Sequence, residues 1–386
     1  MRLRGWGKLA LASIILLSGC SGFWDNPYAN NGGGGGGTTT LSSGIFYVLN
    51  TLTNQIAGYS VVSGTVTAVP GSPFPLLAPP FAMTIAPNNK FLYVSTTNGI
   101  YLYTIASNGQ LTLGNAQNPI SSDQAASMQV DASNSWLIDT ISGQPYVYAI
   151  PINPSTGIVT SVTEPSTPLP ATTVQQLTIS PDNSMALVAM GTGGTALIPF
   201  NSGNTNPLGT ASIIAVKNVA GAALSVAVDP YNRLFYIGET VATSGTNAGG
   251  LRAFDFGTLK ELSGSPYSSF GLAPYSILPI STGNYVYVAN RQTSSGSTGV
   301  IGGFAVVAGS SAVALKALGS SFNAGTHTVS LTEDNTGNFV FAANYDGNPD
   351  LTGYVFDPTN AGYLDSVIST STGTDPVQAS TVVALH

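Results

Sequence analysis

The stretch Ile85-Ala86-Pro87-Asn88-Asn89-Lys90-Phe91-Leu92-Tyr93-Val94 decides the fold of this 386-residue chain. Proline suits the first corner of a tight turn, and asparagine tolerates the left-handed backbone conformation at the turn's exit. The four residues after Lys90 are aromatic, aliphatic or β-branched, which are types that strands favour. The stretch therefore predicts a β-hairpin whose second strand begins at Phe91.

The same pattern recurs along the chain: an aliphatic residue, an asparagine four positions later, and then an apolar run. Further copies begin at Val130, Ile179, Val228 and Ile280, and a sixth, from Leu331, is predicted to have a longer loop. Two more short strands follow in each unit, and Asn-Gly at 108–109 marks the hairpin between them in the first unit. Four strands with a period of about 50 residues indicate the blades of a β-propeller.

The number of blades follows from the first strand of each unit. First strands are predicted near Ala82, Ala126, Gln175, Leu224, Tyr275, His327 and Val377, which makes seven. The chain opens on a second strand at residues 45–49 and closes on a first strand from Val377, so the two ends must complete one blade together. Such closure leaves no open sheet edge. The prediction is an all-β protein with a single seven-bladed β-propeller over residues 42–386.

This region resembles the seven-bladed lactonase family, whose best known activity is 6-phosphogluconolactonase. The phrases that carry the resemblance are residues 91–95 (FLYVS), 286–291 (VYVANR) and 340–344 (VFAAN), with the loop phrases 71–74 (GSPF) and 264–267 (GSPY). The resemblance implies the propeller fold and lactone hydrolysis. Where the family's enzymes carry Pro-Arg-His before a first strand, this chain has Pro274-Tyr275-Ser276. Only Arg291 can be carried across from the family's site.

The N-terminus has the order of a bacterial secretory signal. Arg2, Arg4 and Lys8 precede the apolar residues 9–17, a run too short to span a membrane. Residues 17–20 (LSGC) then resemble a lipobox, so residues 1–19 are predicted to be a lipoprotein signal peptide. The alternative is an ordinary signal peptide in which Cys20 is incidental. Cys20 is the only cysteine in the chain, which favours lipidation as its use.

Residues 20–41 are predicted to be a lipidated flexible linker, because they contain six consecutive glycines at 32–37. Membrane lipid is thus the expected partner of Cys20, and the protein is expected in the cell envelope. Ser21, rather than an aspartate, follows Cys20, which favours the outer membrane or cell surface over the inner membrane.

Composition excludes several classes of function. Three of the ten basic residues and none of the seventeen acidic ones precede Cys20, so the processed chain carries a formal charge of −10. An acidic chain has no electrostatic footprint for nucleic acid. The chain has no nucleophile elbow, zinc-binding helix motif or phosphate loop, so no cofactor or metal is expected. A monomer is expected.

Candidate site residues lie where second strands end and first strands begin. Glu239 and His327 are candidate catalytic groups that could activate water, and Arg291 could bind an acidic group or a developing oxyanion. Asn290, Asn344 and Asp346 are candidate ligand-binding residues. The structural alternatives are a loop role for His327 and an ion pair between Glu239 and Arg291. At least three of Glu239, Arg291, His327 and Asp346 are expected to point into one depression at the end of the central channel.

Two functions remain open at this stage. The first is a binding module for a small molecule or an envelope protein, which the missing Arg-His phrase favours. The second is a hydrolase that acts on an uncharged lactone. Phosphogluconolactone is a poor candidate substrate, because residues 42–386 contain only seven lysines and arginines to bind its phosphate.

Overall fold

The computed structural model describes residues 44–241, 249–308 and 313–386, which form seven antiparallel sheets arranged as propeller blades. The prediction of an all-β, seven-bladed propeller is confirmed. The predicted signal peptide, Cys20 and the glycine-rich linker lie outside the described residues. No helix in the described part of the chain is long and apolar enough to cross a membrane.

Each blade has four strands, and we number the blades in chain order and the strands from the N-terminus. Blade 1 contains β5 (Pro80–Ile85), β6 (Phe91–Thr96), β7 (Gly99–Ile105) and β8 (Leu111–Leu113), followed by a short 3₁₀ turn (Asn115–Gln117). Blade 2 contains β9 (Ala125–Val130), β10 (Trp136–Ile141), β11 (Tyr146–Pro151) and β12 (Ser166–Pro168). Blade 3 contains β13 (Gln176–Ile179), β14 (Met185–Ala189), β15 (Thr195–Pro199) and β16 (Ser212–Ile214).

The remaining blades follow the same plan. Blade 4 contains β17 (Ala223–Val228), β18 (Leu234–Glu239), β19 (Gly250–Asp255) and β20 (Tyr267–Ser268). Blade 5 contains β21 (Leu272–Pro279), β22 (Tyr285–Gln292), β23 (Thr298–Ala308) and β24 (Val313–Thr326). Blade 6 contains β25 (Thr328–Glu333), β26 (Phe339–Asn344), β27 (Leu351–Phe356) and β28 (Leu364–Thr370). Blade 7 contains β29 (Ala379–Ala384), β1 (Gly44–Asn50), β2 (Gln55–Val62) and β3 (Thr65–Ala68), with β4 (Phe74–Pro75) beside β2.

Blade 7 closes the ring as the sequence predicts. The C-terminal strand β29 pairs antiparallel with the N-terminal strand β1, from Phe46 opposite Ala384 to Asn50 opposite Ala379. Phe46 also stacks on Phe341 of blade 6, with ring centroids 4.0 Å apart. Backbone pairing therefore joins the two ends of the described chain, and the aromatic contact packs blade 7 against blade 6.

The turns between first and second strands explain the repeated asparagine. Asn89, Asn134, Asn183 and Asn232 all adopt positive φ, between 54° and 59°. In blades 5 and 6 glycine takes this position instead, as Gly283 and Gly337. The hydrogen bond from Asp334 N to Phe339 O spans the same number of residues as the bond from Ala86 N to Phe91 O. The prediction of a longer sixth loop is therefore wrong. The residue of blade 6 that corresponds to Ile85 is Glu333, two positions after the Leu331 from which the loop was counted.

The hydrophobic core is a ring of seven layers, one between each pair of neighbouring blades. Alternate residues of a strand enter opposite layers, since successive side chains point to opposite faces. In β10, for example, Leu137 packs against blade 1 and Ile138 packs against blade 3. Both are fully buried. This two-sided burial explains why the second strands read as continuous apolar runs.

Tyrosines in the second strands join neighbouring blades. Their hydroxyls donate to a glycine carbonyl in the outer hairpin of the next blade, in the pairs Tyr47 to Gly109 (2.7 Å), Tyr93 to Gly157 (2.9 Å) and Tyr287 to Gly362 (2.8 Å). All three glycines have φ between 71° and 82°, which glycine adopts without strain. Gly109, which the sequence placed in a hairpin, is thus part of a contact between blades, and Gly157 and Gly362 have the same role.

Candidate functional site

The central channel holds a cavity of about 540 Å³, formed by the innermost strands. Every blade contributes to its wall, through residues such as Met83, Ser127, Leu177, Leu224, Ile277, Ser330 and Val382. Ligand sites of small molecules commonly have volumes of about 300–1,000 Å³. The cavity is therefore large enough for a sugar-sized molecule.

Most hydroxyl and amide groups along this wall hold the blades together. Ser127 Oγ accepts the Leu177 amide at 2.9 Å, and Gln176 Oε1 accepts the Val226 amide at 3.0 Å. Ser330 Oγ likewise accepts from the backbone of Val382 in blade 7, at 3.1 Å. These polar groups have a structural use, so their presence in the channel does not by itself indicate a ligand.

Arg291 is the one charged side chain among the described residues that line the cavity. Its guanidinium carbon lies 5.4 Å from the ring centroid of Tyr275 and 5.7 Å from that of Tyr345. Nη1 also approaches the Tyr275 hydroxyl at 3.4 Å. Cation–π contacts of this kind hold a guanidinium while leaving its N–H groups available. Within the described residues Arg291 forms no ion pair, so it can offer its charge to a ligand.

His327 and Asp346 form a hydrogen-bonded pair between Nδ1 and Oδ2. His327 occupies the turn between β24 and β25 with φ of 54°. Its carbonyl accepts the amide of Tyr345 at 2.9 Å, which links the pair to the aromatic contacts of Arg291. A carboxylate on Nδ1 orients an imidazole and selects its tautomer. The pair therefore has the arrangement of a general base, although neither residue lines the cavity.

Glu239 has a different environment from the one expected. It is 1% exposed, and its Oε1 lies 2.7 Å from Nη1 of Arg252 in β19. Its Oε2 accepts the amide of Lys217 at 2.9 Å, and Arg252 also pairs with Glu261 at 3.0 Å. The expected alternative, an ion pair of Glu239 with Arg291, is wrong because the partner is Arg252. Both carboxylate oxygens of Glu239 are occupied by protein groups.

Asn290 and Asn344 are fully buried, near the end of β22 and at the end of β26. Asn344 donates to the Pro349 carbonyl at 2.8 Å and accepts from Thr328 Oγ1 at 2.7 Å. Asn290 donates to the carbonyls of Val288 and Val300, at 3.2 and 3.4 Å. These side chains satisfy backbone carbonyls where strands leave the blade, and they present no exposed atom to a ligand.

The structure places the four grouped residues in different settings. Of Glu239, Arg291, His327 and Asp346, only Arg291 is among the residues that line the cavity. His327 and Asp346 pair with each other beside Tyr345, and Glu239 is buried against Arg252. The sequence did not indicate that the rings of Tyr275 and Tyr345 would flank Arg291. Each tyrosine directly follows a residue that the sequence analysis named, Pro274 and Asn344. Among the described residues, no three His, Cys, Asp or Glu side chains are arranged to hold a metal ion.

Comparison with solved structures places this geometry among lactonase-like propellers. A candidate 6-phosphogluconolactonase from Bacteroides fragilis superposes with a TM-score of 0.70 at 14% identity, over 91% of this chain and 100% of that one. A second candidate 6-phosphogluconolactonase, from Bacteroides uniformis, superposes with a TM-score of 0.67 at 15% identity, over 89% of this chain and 99% of that one. The chain has the lactonase-type propeller fold.

A third solved structure is that of a protein named as periplasmic. The periplasmic gluconolactonase of Pseudomonas aeruginosa superposes with a TM-score of 0.64 at 16% identity, over 89% of this chain and 99% of that one. No family model and no curated protein sequence matches the chain. At such low identities the likeness concerns the fold and does not carry over any activity.

Proposed function

We propose that this protein is a membrane-anchored lipoprotein of the cell envelope whose propeller binds a small molecule in its central channel. The observation that carries the proposal is Arg291, a cation without an ion-pair partner among the described residues, flanked by two tyrosines in a cavity of about 540 Å³. The rest of the lining is uncharged, so a ligand would be recognised by one anionic or carbonyl group and by contacts with neutral surface.

The anchor in this proposal rests on the sequence alone. The signal-like residues 1–19 and the single Cys20 support lipid attachment, and the glycines at 32–37 support a tether between the membrane and the propeller. The solved periplasmic gluconolactonase gives a precedent for this fold outside the cytoplasm.

The ligand class follows from the single cation. A phosphorylated sugar would require several positive groups, whereas the lining supplies one. We therefore favour an aldonic acid or its neutral lactone, such as gluconate or gluconolactone. Calorimetric titration of the full-length protein with gluconate should detect binding. Arg291→Gln should weaken it by about 10- to 100-fold, since a hydrogen bond to a charged group contributes about 1.5–3 kcal/mol.

Lys316→Gln is the matched control, because Lys316 is an exposed cation on β24 and does not line the cavity. Its affinity for gluconate should equal that of the wild type. Equal binding by the wild type and Arg291→Gln, or no binding of gluconate and gluconolactone by the wild type, would contradict the proposal.

Hydrolysis of a neutral lactone is the second candidate, and the His327–Asp346 pair favours it. In this reaction His327 would take a proton from water as the water oxygen attacks the lactone carbonyl, and the ring C–O bond would then break with return of the proton to the leaving oxygen. Arg291 would stabilise the negative oxygen that forms. Acid release from gluconolactone above the spontaneous rate, lost in His327→Ala with binding retained, would establish this candidate over simple binding.

A further inference from the structure

Three carboxylates of blade 2 have played no part so far, and the central one, Asp139, lies two residues after Leu137 and therefore on the face of β10 toward blade 1. Asp139 is in the middle of β10, opposite Met128 of β9 and Tyr148 of β11. Asp123 lies in the segment that leads into β9, and Glu164 lies just before β12. Burial and the charges of all three raise the pKa of Tyr148. Three separate parts of blade 2 therefore bring acidic groups to one place.

Asp139 is the unusual member of this cluster. It is fully buried, and neither of its carboxylate oxygens has a hydrogen-bond partner among the described residues. Asp123 Oδ2 is also buried without a partner there. An ionised carboxylate in such a position is strongly destabilised, because water is lost and nothing replaces it. The arrangement requires a positive counter-charge or protonation.

Positive side chains do not supply the counter-charge. The charged groups that act on Asp139 are Asp123 and Glu164, which are both acidic. Arg233, Arg252 and Lys217 are paired with carboxylates elsewhere in the described chain. Blade 1 contributes apolar side chains to this layer together with Tyr93, whose hydroxyl donates to the Gly157 carbonyl.

The titration of the cluster agrees with protonation. Burial and the neighbouring carboxylates raise the pKa of Asp139 well above its ordinary value. Burial and the charge of Asp123 raise the pKa of Glu164 to about 7. Burial likewise raises the pKa of Asp123.

We propose that Asp123, Asp139 and Glu164 form a proton-binding joint that holds blades 1 and 2 together when protonated and weakens their contact when ionised. The joint also borders the channel, because Asp123 leads into β9, whose residues Ala126, Ser127 and Met128 line the cavity. Ionisation of the joint would therefore reduce the stability of one sector of the channel wall. The inference does not depend on which ligand the channel binds.

The sign of the pH effect follows from the raised pKa values. Unfolded Asp and Glu side chains ionise near pH 4, whereas Glu164 of the folded protein has a pKa of about 7. Between these values the folded state binds more protons than the unfolded state, so stability falls as the pH rises. The pKa of Asp139 is also raised, so its ionisation adds to this loss of stability as the pH rises.

The test is thermal unfolding of the full-length protein between pH 5 and pH 8, for wild type, Asp139→Asn and Glu164→Gln. We expect the wild type to lose on the order of 5 °C in Tm across this range because of the cluster. Asp139→Asn should melt higher than wild type at pH 8 and should show a shallower pH dependence. Glu164→Gln changes a partly exposed position and should show the same trend. It therefore tests the proposal even if Asp139→Asn fails to fold.

Asp365→Asn is the matched control, since Asp365 is exposed on β28, and its profile should match that of wild type. Infrared spectra provide a direct readout: a protonated carboxyl band present in the wild type at pH 6 should diminish in Asp139→Asn. Equal pH dependence in wild type and both cluster variants would overturn the proposal. A second outcome would also overturn it: calcium or magnesium raises the Tm of wild type at pH 8 but not that of Asp139→Asn. This result would show that a cation, and not protons, neutralises the carboxylates.

Discussion

Substitution of Glu239 separates a structural role from a catalytic one. Glu239 and Arg252 are 1% and 5% exposed, and their charged atoms lie 2.7 Å apart. Removal of one partner from a buried ion pair costs about 3–5 kcal/mol, because the other charge is left buried. Arg252 keeps Glu261 as a partner at 3.0 Å, so we place Glu239→Ala near the lower end of this range. Glu239→Gln should cost less, since its amide oxygen can still accept the Lys217 N–H.

The measurement is unfolding of the full-length protein by heat and by urea, followed by circular dichroism. A loss of about 3 kcal/mol corresponds to a decrease in Tm of roughly 5–10 °C for a large domain. Glu261→Gln is the control, because Glu261 is more exposed and should cost less. A double-mutant cycle with Arg252→Met should give a coupling free energy above about 1 kcal/mol.

The contrary outcome would be equally informative. If Glu239→Gln and Glu239→Ala melted like the wild type, the buried pair would have no structural importance. If they also abolished hydrolysis of gluconolactone, the sequence-based prediction of a catalytic glutamate would be supported against the structural interpretation.

Two further predictions concern the ends of the chain. Deletion of residues 377–386 removes β29 and the buried side chains of Val377 and Val382. The truncated protein should therefore lose its cooperative thermal transition. An unchanged melting curve would show that blade 7 does not depend on this strand. Cys20→Ser removes the only thiol. The full-length variant expressed in bacteria should therefore incorporate no labelled fatty acid and should retain residues 1–19. Labelled fatty acid on the variant, or normal cleavage before residue 20, would contradict the lipobox interpretation.

The number and order of the strands could be predicted from the sequence because local signals repeat in it. Asn89 and Asn232 mark turns through backbone conformation, which depends on a few neighbouring residues. The same reasoning misplaced the sixth turn, since Gly337 replaces asparagine and Leu331 offers a misleading aliphatic start. Closure between β1 and β29 was predictable by elimination, because a second strand at one end needed a first strand from the other.

The side-chain partners could not be predicted in the same way. Whether Glu239 meets Arg252 or Arg291 depends on which face of β18 the carboxylate occupies and on the register of β18 against β19. The contact of Arg291 with Tyr345 joins neighbouring blades, and the cluster around Asp139 joins three separate segments of blade 2. Such contacts depend on tertiary geometry, and no short motif encodes them.

The pairing of β1 with β29 also constrains when the channel can exist. Phe46 and Ala384 are neighbours in blade 7 although almost the whole described chain separates them, and Val382 and Val383 are part of the cavity lining. Contacts between such distant residues form late, because the entropy of closing a long loop opposes them until the intervening blades have formed. The wall of the cavity therefore cannot be complete on a partly synthesised chain. It closes only after residues 377–386 have been made.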